Sequence, residues 1–532
     1  MEERIRKQHH HHHHVWMVSS MLAMVICLSA GLYGLMGVVL QDGWFHYCPE
    51  PSVFLQQLAA NRRSEFQEAV HYHQHRSILP TRVSRQGPEG EAEEEEEEEE
   101  SSCMGRYVHV YDLPPFFNQK LVDDCLSADP PWVYTHCEDL TNRGLGERIN
   151  NNIFSDSKKK NDSDLYNNVL ALPGLQDAWY KTNQFTLELI YHERFKHYDC
   201  LTDDPDKAIF TYIPFYSALD LTPKLFGDGV SSNAAARDRA CQRLIGWLQA
   251  SRHWERTGGK NHVLLLGRIV WDYTRREFDD HGWGNPLISF PEMENVTKLS
   301  IEISPTREDQ GSGIPYPTAF HPSSDAQIAS WQTRISSSKR ETLVVFAGVP
   351  RSDNKRVVGS SIRSELMKQC SNYSQPPHNN NNNNKMCSLL SCSIIDCERN
   401  PQLLMQAFLN AVFCLQPPGD SATRKGVFDC LIAGGIPVFF DPETAYMQYH
   451  WHLPQNGSSY SVYFPREAVV NGSIDVIQEL QRIPSSAIAS MQHTINSFLP
   501  NLLYSKPGSN LTTPDAFDIT VQNLLHRFRQ NE

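Results

Sequence analysis

The sequence predicts an α/β protein built from two parallel-sheet halves, preceded by an apolar span and a polar stem. Three observations carry this. Strand-length apolar runs alternate with helically spaced ones on both sides of a Gly-, Pro- and Ser-rich segment, Gly311 to Lys339, and such alternation implies helices layered on a mostly parallel sheet. The second half contains a strand, loop, helix, strand unit at residues 411–440. A run of 26 residues without a charged side chain, Val15 to Leu40, stands ahead of both. At 532 residues the chain has room for about two domains.

The span Val15–Leu40 exceeds the apolar region of a cleaved signal peptide, its shorter alternative, and is long enough to cross a bilayer. Arg4, Arg6 and Lys7 precede it, and the next basic residues are Arg62 and Arg63. This bias puts residues 1–14 in the cytosol and everything after the span in the lumen, a single-pass type II anchor. The tract His9–His14 reads equally as a tag or as natural low complexity, and no metal site is assigned to it. Residues 41–104 form a polar stem ending in Glu93–Glu100, a self-repelling block that stays extended. Ten of the 14 net negative charges come from Glu89, Glu91 and that block. Nothing in the charge pattern resembles a nucleic-acid footprint.

Thirteen cysteines and six Asn-X-Ser/Thr sites, at Asn161, Asn295, Asn372, Asn456, Asn471 and Asn510, agree with a luminal location. Cys387, Cys392 and Cys397 cluster near Cys370 without the tight pairs of zinc sites, so disulfides are expected, with the pairing unread.

In the first half, Tyr107–Tyr111, Ala208–Ile213 and His262–Leu266 read as strands. Residues 175–196 and the set Ala240, Leu244, Trp247 and Leu248 read as helices. In the second half Thr342–Ala347 is a strand, residues 355–370 a helix, and the insert with Asn379–Asn384 a loop. A last helix from Pro514, with Phe517, Val521, Leu524, Leu525 and Phe528 on one face, is expected to pack on the body.

The central stretch runs Phe413-Cys414-Leu415-Gln416-Pro417-Pro418-Gly419-Asp420-Ser421-Ala422-Thr423-Arg424, then through Phe428-Asp429 to Gly434-Gly435 and a second apolar strand. With Asp420 or Ser421 as cap, a helix beginning here offers backbone N–H groups and a positive dipole end to a phosphate or diphosphate. Ser421 and Thr423 add hydroxyls, and Arg424 adds a forked cation. Asp429, about 7 Å along the axis from Arg424, suits a ribose hydroxyl. An ordinary capped helix explains the same pattern equally well.

This stretch resembles the signature of the exostosin-like glycosyltransferases, in particular their plant branch containing the xyloglucan galactosyltransferases. Further matches are Val108-His109-Val110-Tyr111-Asp112-Leu113-Pro114, Trp179-Tyr180-Lys181-Thr182-Asn183-Gln184-Phe185 and Gly267-Arg268-Ile269-Val270-Trp271-Asp272. Gly313-Ile314-Pro315-Tyr316-Pro317-Thr318, Phe346-Ala347-Gly348-Val349-Pro350-Arg351 and Tyr449-His450-Trp451-His452-Leu453-Pro454 complete the set, over roughly residues 105–530. One departure is Gly435, where the branch usually has Cys.

The resemblance implies a GT-B fold, two Rossmann-like domains facing a cleft. Residues 105–320 would form the acceptor side and residues 321–532 the nucleotide-sugar side. It further implies an inverting transferase that moves galactose from UDP-galactose to xylosyl side chains of xyloglucan, anchored in the Golgi membrane, and it leaves open a complex there with other glycosyltransferases. UDP-galacturonic acid or UDP-arabinose as donor, and a noncatalytic glycan-binding subunit, are the alternatives. The expected donor-binding residues are Arg351, Gly419, Asp420, Ser421, Thr423, Arg424 and Asp429. Asp272 is the candidate base, with an ion pair to a neighbouring arginine as its structural alternative and His321 as the fallback. Trp179, Trp271 and Tyr316 are candidates for stacking on acceptor sugars, with Tyr180, Trp283 and Trp451 behind them. No Asp-X-Asp motif stands in a suitable setting, so no metal or other cofactor is expected beyond the UDP-sugar co-substrate.

Overall fold

The computed structural model describes residues 102–129, 136–149, 173–225, 234–276, 282–304, 311–349, 360–373, 385–509 and 511–530. The tail, the span 15–40, most of the stem, Arg351, Asn161, Asn510 and the asparagine tract lie outside the described residues. Among the described residues no helix is long and apolar enough to cross a membrane.

Two five-stranded sheets, parallel throughout, organise the described residues. The first comprises β1 (Val108–Val110), β2 (Phe210–Ile213), β3 (His262–Leu266), β4 (Thr297–Ser300) and β5 (Ser312–Gly313), in that order across the sheet. Alternate side chains of its strands face opposite layers. Phe210 and Tyr212 meet Phe195 of the helix Leu187–Phe195, while Tyr111 and His262 meet Trp247 and Trp254 on the other face.

The second sheet comprises β6 (Thr342–Gly348), β7 (Lys385–Ser391), β8 (Ala411–Gln416), β9 (Ile436–Phe439) and β10 (Val462–Tyr463), ordered β10-β9-β8-β6-β7. The chain therefore winds one way from β6 to β7 and the other way from β8 onward. This reversal leaves a crevice at the carboxyl ends of β6 and β8, the place where open parallel sheets bind ligands.

The Gly-, Pro- and Ser-rich segment Gly311 to Lys339 between the halves carries regular structure. It contains β5 and the helix Asp325–Ser336, which Ser324 caps by accepting from Gln327 N. Ile328, Trp331 and Ile335 form its buried face, and the Trp331 indole donates to Ile432 O at 2.8 Å. The helix expected over 175–196 is confined to Leu187–Phe195. Upstream of it, Trp179 pairs with Phe320 through an isolated bridge and fills the core beside Trp331.

Among the described residues, five disulfides join Cys103–Cys200, Cys125–Cys137, Cys370–Cys387, Cys392–Cys397 and Cys414–Cys430, and Cys241 is a buried free thiol. The Cys414–Cys430 bridge explains Gly435. A Cβ there would lie 2.7 Å from Cys414 Sγ and 2.9 Å from Cys430 Sγ, closer than packed atoms allow.

The last helix, Ala516–Gln530, follows the second sheet in sequence but packs on the first. Phe528 stacks on Phe210 of β2, Phe517 meets Phe195 at 4.9 Å, and Arg194 pairs with Asp515 and Asp518. Burying each such phenylalanine contributes about 1.5–3 kcal/mol.

Candidate active site

The crevice of the second sheet is built by the loop after β8. Gly419 N–H bonds Ser421 O, forming a tight turn. Thr444 donates its hydroxyl to Ala422 O, and the Thr423 hydroxyl lies 3.4 Å from the Tyr449 oxygen, to which it can donate. These bonds hold residues 420–423 out of the helix. It begins at Lys425 rather than at Asp420 or Ser421, and runs to Ile432 with Arg424 at the N-cap. The Arg424 side chain does not cap that first turn; its Nη1 bonds Pro417 O at 3.0 Å across the loop. An uncapped helix start beside a guanidinium is a site for an anion.

Below the loop, the buried Arg363 ties the two strand ends together, donating to Pro418 O at 3.0 Å and Val349 O at 3.2 Å. Gly426 lies against Gln416, the last residue of β8, where a Cβ would sit 3.0 Å from Gln416 Oε1. Backbone and helix are thus closely packed under the loop.

The first sheet supplies the facing wall. Ile301 O accepts from Tyr449 and Ile303 N–H donates to Gln448 Oε1, so the segment after β4 is fastened directly to the second half. Between those bonds lies Glu302, 4% exposed, whose carboxyl receives the Tyr316 hydroxyl at 3.1 Å and a hydrogen bond from Ser421 of the opposite loop. Burial first, then the nearby Asp272 and Asp420 carboxylates, push it up to about 8 against those two donors.

The equivalent position in the first half is already filled from within. Glu188 is fully buried at the start of the helix Ser217–Leu225, and its carboxyl accepts from Ala218 N–H, Gly267 N–H and the Ser217 hydroxyl. No room is left there for a diphosphate. Among the described residues, the second sheet keeps an open helix start at its carboxyl edge, at Lys425.

Residues 102–480 match the profile of the exostosin GT47 domain. The chain belongs to the exostosin GT47 family. Its members are glycosyltransferases. Xyloglucan galactosyltransferase MUR3 of Arabidopsis thaliana is 37% identical over 437 residues, covering 81% of this chain and 64% of that protein. The probable xyloglucan galactosyltransferase GT14 of the same plant is 38% identical, over 80% of this chain and 75% of its own length. Xyloglucan-specific galacturonosyltransferase 1, also from Arabidopsis thaliana, is 36% identical over 80% of this chain and 58% of its own length.

Against this exostosin GT47 background the expected site residues divide. Gly419, Asp420, Ser421 and Arg424 stand together on the loop, with Asp420 exposed at its tip. Thr423 is buried under Tyr449. Asp429 does not point to a ribose: Lys425 Nζ lies 2.8 and 2.9 Å from its two oxygens, and the carboxyl is buried. Asp272 follows its structural alternative. It is fully buried, with Arg268 Nε at 2.6 Å from one oxygen and the Trp283 indole N–H at 2.6 Å from the other. His321 is buried with both ring nitrogens engaged, by Thr182 Oγ1 and Tyr504 O.

Among the aromatic candidates, Trp179 and Tyr316 are core side chains, 1% and 3% exposed, and neither can stack on a sugar. Trp271 is 39% exposed and leans on Trp283, 42% exposed, with ring centroids 6.1 Å apart. Together they form an open aromatic platform beside Asp272. The described sequon residues Asn295, Asn372, Asn456 and Asn471 are all exposed.

Glu302 is the residue that sequence reasoning missed. Its signal is a lone carboxylate between Ile301 and Ile303, immediately after a strand of a parallel sheet. Ligand-facing groups concentrate at that edge.

Proposed function

We propose that the protein is an inverting glycosyltransferase that transfers galactose from UDP-galactose to xylosyl side chains of xyloglucan. The carrying observation is the open start of the helix Lys425–Ile432, with Arg424 beside it at the crevice of the second sheet, facing Glu302 of the first. The diphosphate lies on that helix start, with Arg424 and the Ser421 hydroxyl neutralising the charge that develops as UDP departs. Arg424 and the helix dipole suffice for this without a resident metal. The glycan acceptor rests on the Trp271–Trp283 platform.

The xyloglucan galactosyltransferases among the relatives support the acceptor and the donor sugar. The galacturonosyltransferase relative favours UDP-galacturonic acid as a second reading. Asp420, exposed on the loop, weighs toward a neutral sugar, because a donor carboxylate would meet it with like charge. Five disulfides and exposed sequons support a luminal position, with the chain held in the Golgi membrane by residues 15–40.

The test uses the full chain in detergent, xyloglucan oligosaccharides and a panel of UDP-sugars, with product mass and linkage read out. Hexose transfer from UDP-galactose alone is the expected result. Transfer from UDP-galacturonic acid instead would establish the second reading, and UDP binding without any transfer would make the protein a noncatalytic subunit.

A further inference from the structure

We propose that Glu302 is the general base that takes the proton from the acceptor hydroxyl, an inference that rests on the transferase reading above. Its backbone is fixed from both halves. Val270 N–H and the Ser300 hydroxyl donate to Glu302 O at 3.1 and 2.9 Å, and its two chain neighbours are held by Tyr449 and Gln448. The carboxyl is thereby presented to the loop that carries Gly419 and Arg424, and it touches Ser421 there. A base must stand at the junction of donor and acceptor, and this is the first-half carboxyl that reaches the donor loop.

Among the described residues, the other acids and bases singled out in the sequence are committed elsewhere. Asp272 is held by Arg268 and Trp283, Asp429 by Lys425, and His321 by Thr182 and Tyr504. Glu302 is bonded to two hydroxyl groups, which exchange partners at lower cost than an ion pair does. The groups facing it are Tyr316 and Asp272 from the first half and Ser421, Asp420 and Tyr449 from the second. Burial and the two carboxylates make it a stronger base than an ordinary glutamate.

When the diphosphate of the donor draws on the Ser421 hydroxyl, Glu302 exchanges that bond for the acceptor hydroxyl. The acceptor proton passes to the Glu302 carboxylate. The acceptor oxygen forms its bond to the anomeric carbon as the bond from that carbon to the β-phosphate oxygen breaks, its electron pair leaving on UDP. The proton is then released from Glu302 to solvent.

The experiment compares the full chain with its Glu302→Gln variant, which keeps the shape and the hydrogen bonding to Tyr316. The expected result is a fall in kcat of about 10²- to 10⁴-fold, with UDP affinity and acceptor KM unchanged. Wild-type kcat/KM should rise with pH and level off near the Glu302 value of about 8, and the residual rate of the variant should lack that rise. A variant that turns over like the wild type, or a wild-type profile flat between about pH 6 and about pH 9, overturns the assignment. Should the variant not fold, the wild-type profile decides alone. A wild-type protein that transfers from no donor refutes the transferase reading itself, and Glu302 with it, whereas an active wild type beside an equally active variant refutes only the base.

Discussion

Gly267 donates its backbone N–H to Glu188 Oε1 at 2.9 Å and leaves no room for a side chain, because a Cβ would fall 2.8 Å from the Glu188 carboxyl carbon. This contact closes the first sheet's carboxyl edge. Gly267→Ala should therefore destabilise the protein by about 1–3 kcal/mol, read as a lowered melting temperature. Gly246, in the helix Ala234–Gln249 with nothing near its Cβ position, is the control, and Gly246→Ala should stabilise by about 0.5–1 kcal/mol. Equal melting temperatures for the two variants would show that the Glu188 pocket can yield.

Arg424→Ala should lower turnover by about 10²- to 10³-fold while the melting temperature stays close to wild type. The side chain is partly buried and makes a loop bond to Pro417 O, so the fold loses little. Transfer rate and thermal unfolding measured on the same preparation separate the two effects. Normal turnover would remove Arg424 from the donor site.

Trp271 and Asp272 are adjacent in sequence and should respond oppositely. Trp271→Ala removes an exposed ring, so it should raise the acceptor KM and leave stability within about 0.5 kcal/mol of wild type. Asp272→Ala strips the buried Arg268 of its carboxylate and releases the Trp283 indole, and should cost about 3–5 kcal/mol. Unfolding curves and acceptor titrations of both variants test the pair; a stable Asp272→Ala protein that has lost only catalysis would restore Asp272 as the base.

Acid should destabilise the fold through buried imidazoles. Burial foremost holds His109, His192, His321 and His452 down to about 4 and His262 to about 3, from an ordinary 6.5. Each stays neutral when folded and takes up a proton when unfolded, so its contribution, on the order of 1–3 kcal/mol, is complete above pH 6.5 and is lost as pH falls toward 4. Glu188 and Glu302, raised to about 8, run the other way and weaken the fold as pH rises through that value. Melting temperature should peak near neutrality and fall on acidification. Replacing His109 by an apolar side chain should flatten the acid limb.

The strands with continuous apolar character were legible in the sequence because burial on both faces leaves a plain run, as in Phe210–Ile213, His262–Leu266 and Ala411–Gln416. β4 was not, since Thr297–Ser300 is short and buries Lys298. β7 was hidden in a stretch that reads as a polar insert. The helix after β8 was read as capped by Asp420 or Ser421, three or four residues before its observed N-cap Arg424, because the contacts that hold Asp420–Thr423 open come from Thr444 and Tyr449, distant in sequence. Asp429 was read as a ribose partner and Asp272 as a base with an ion pair as its alternative, and the structure sets both carboxylates against cations. Which oxygen meets which cation is a tertiary fact that spacing alone does not contain.

The closing helix Ala516–Gln530 also orders events during synthesis. The face of the first sheet around Phe210 and Phe195 is completed by Phe517 and Phe528, which are made after every strand of both sheets. While the ribosome is still adding the second half, that face stays uncovered. A chain stopped before residue 516 has every strand of both sheets and still exposes an unfinished core, the kind of surface that drives aggregation.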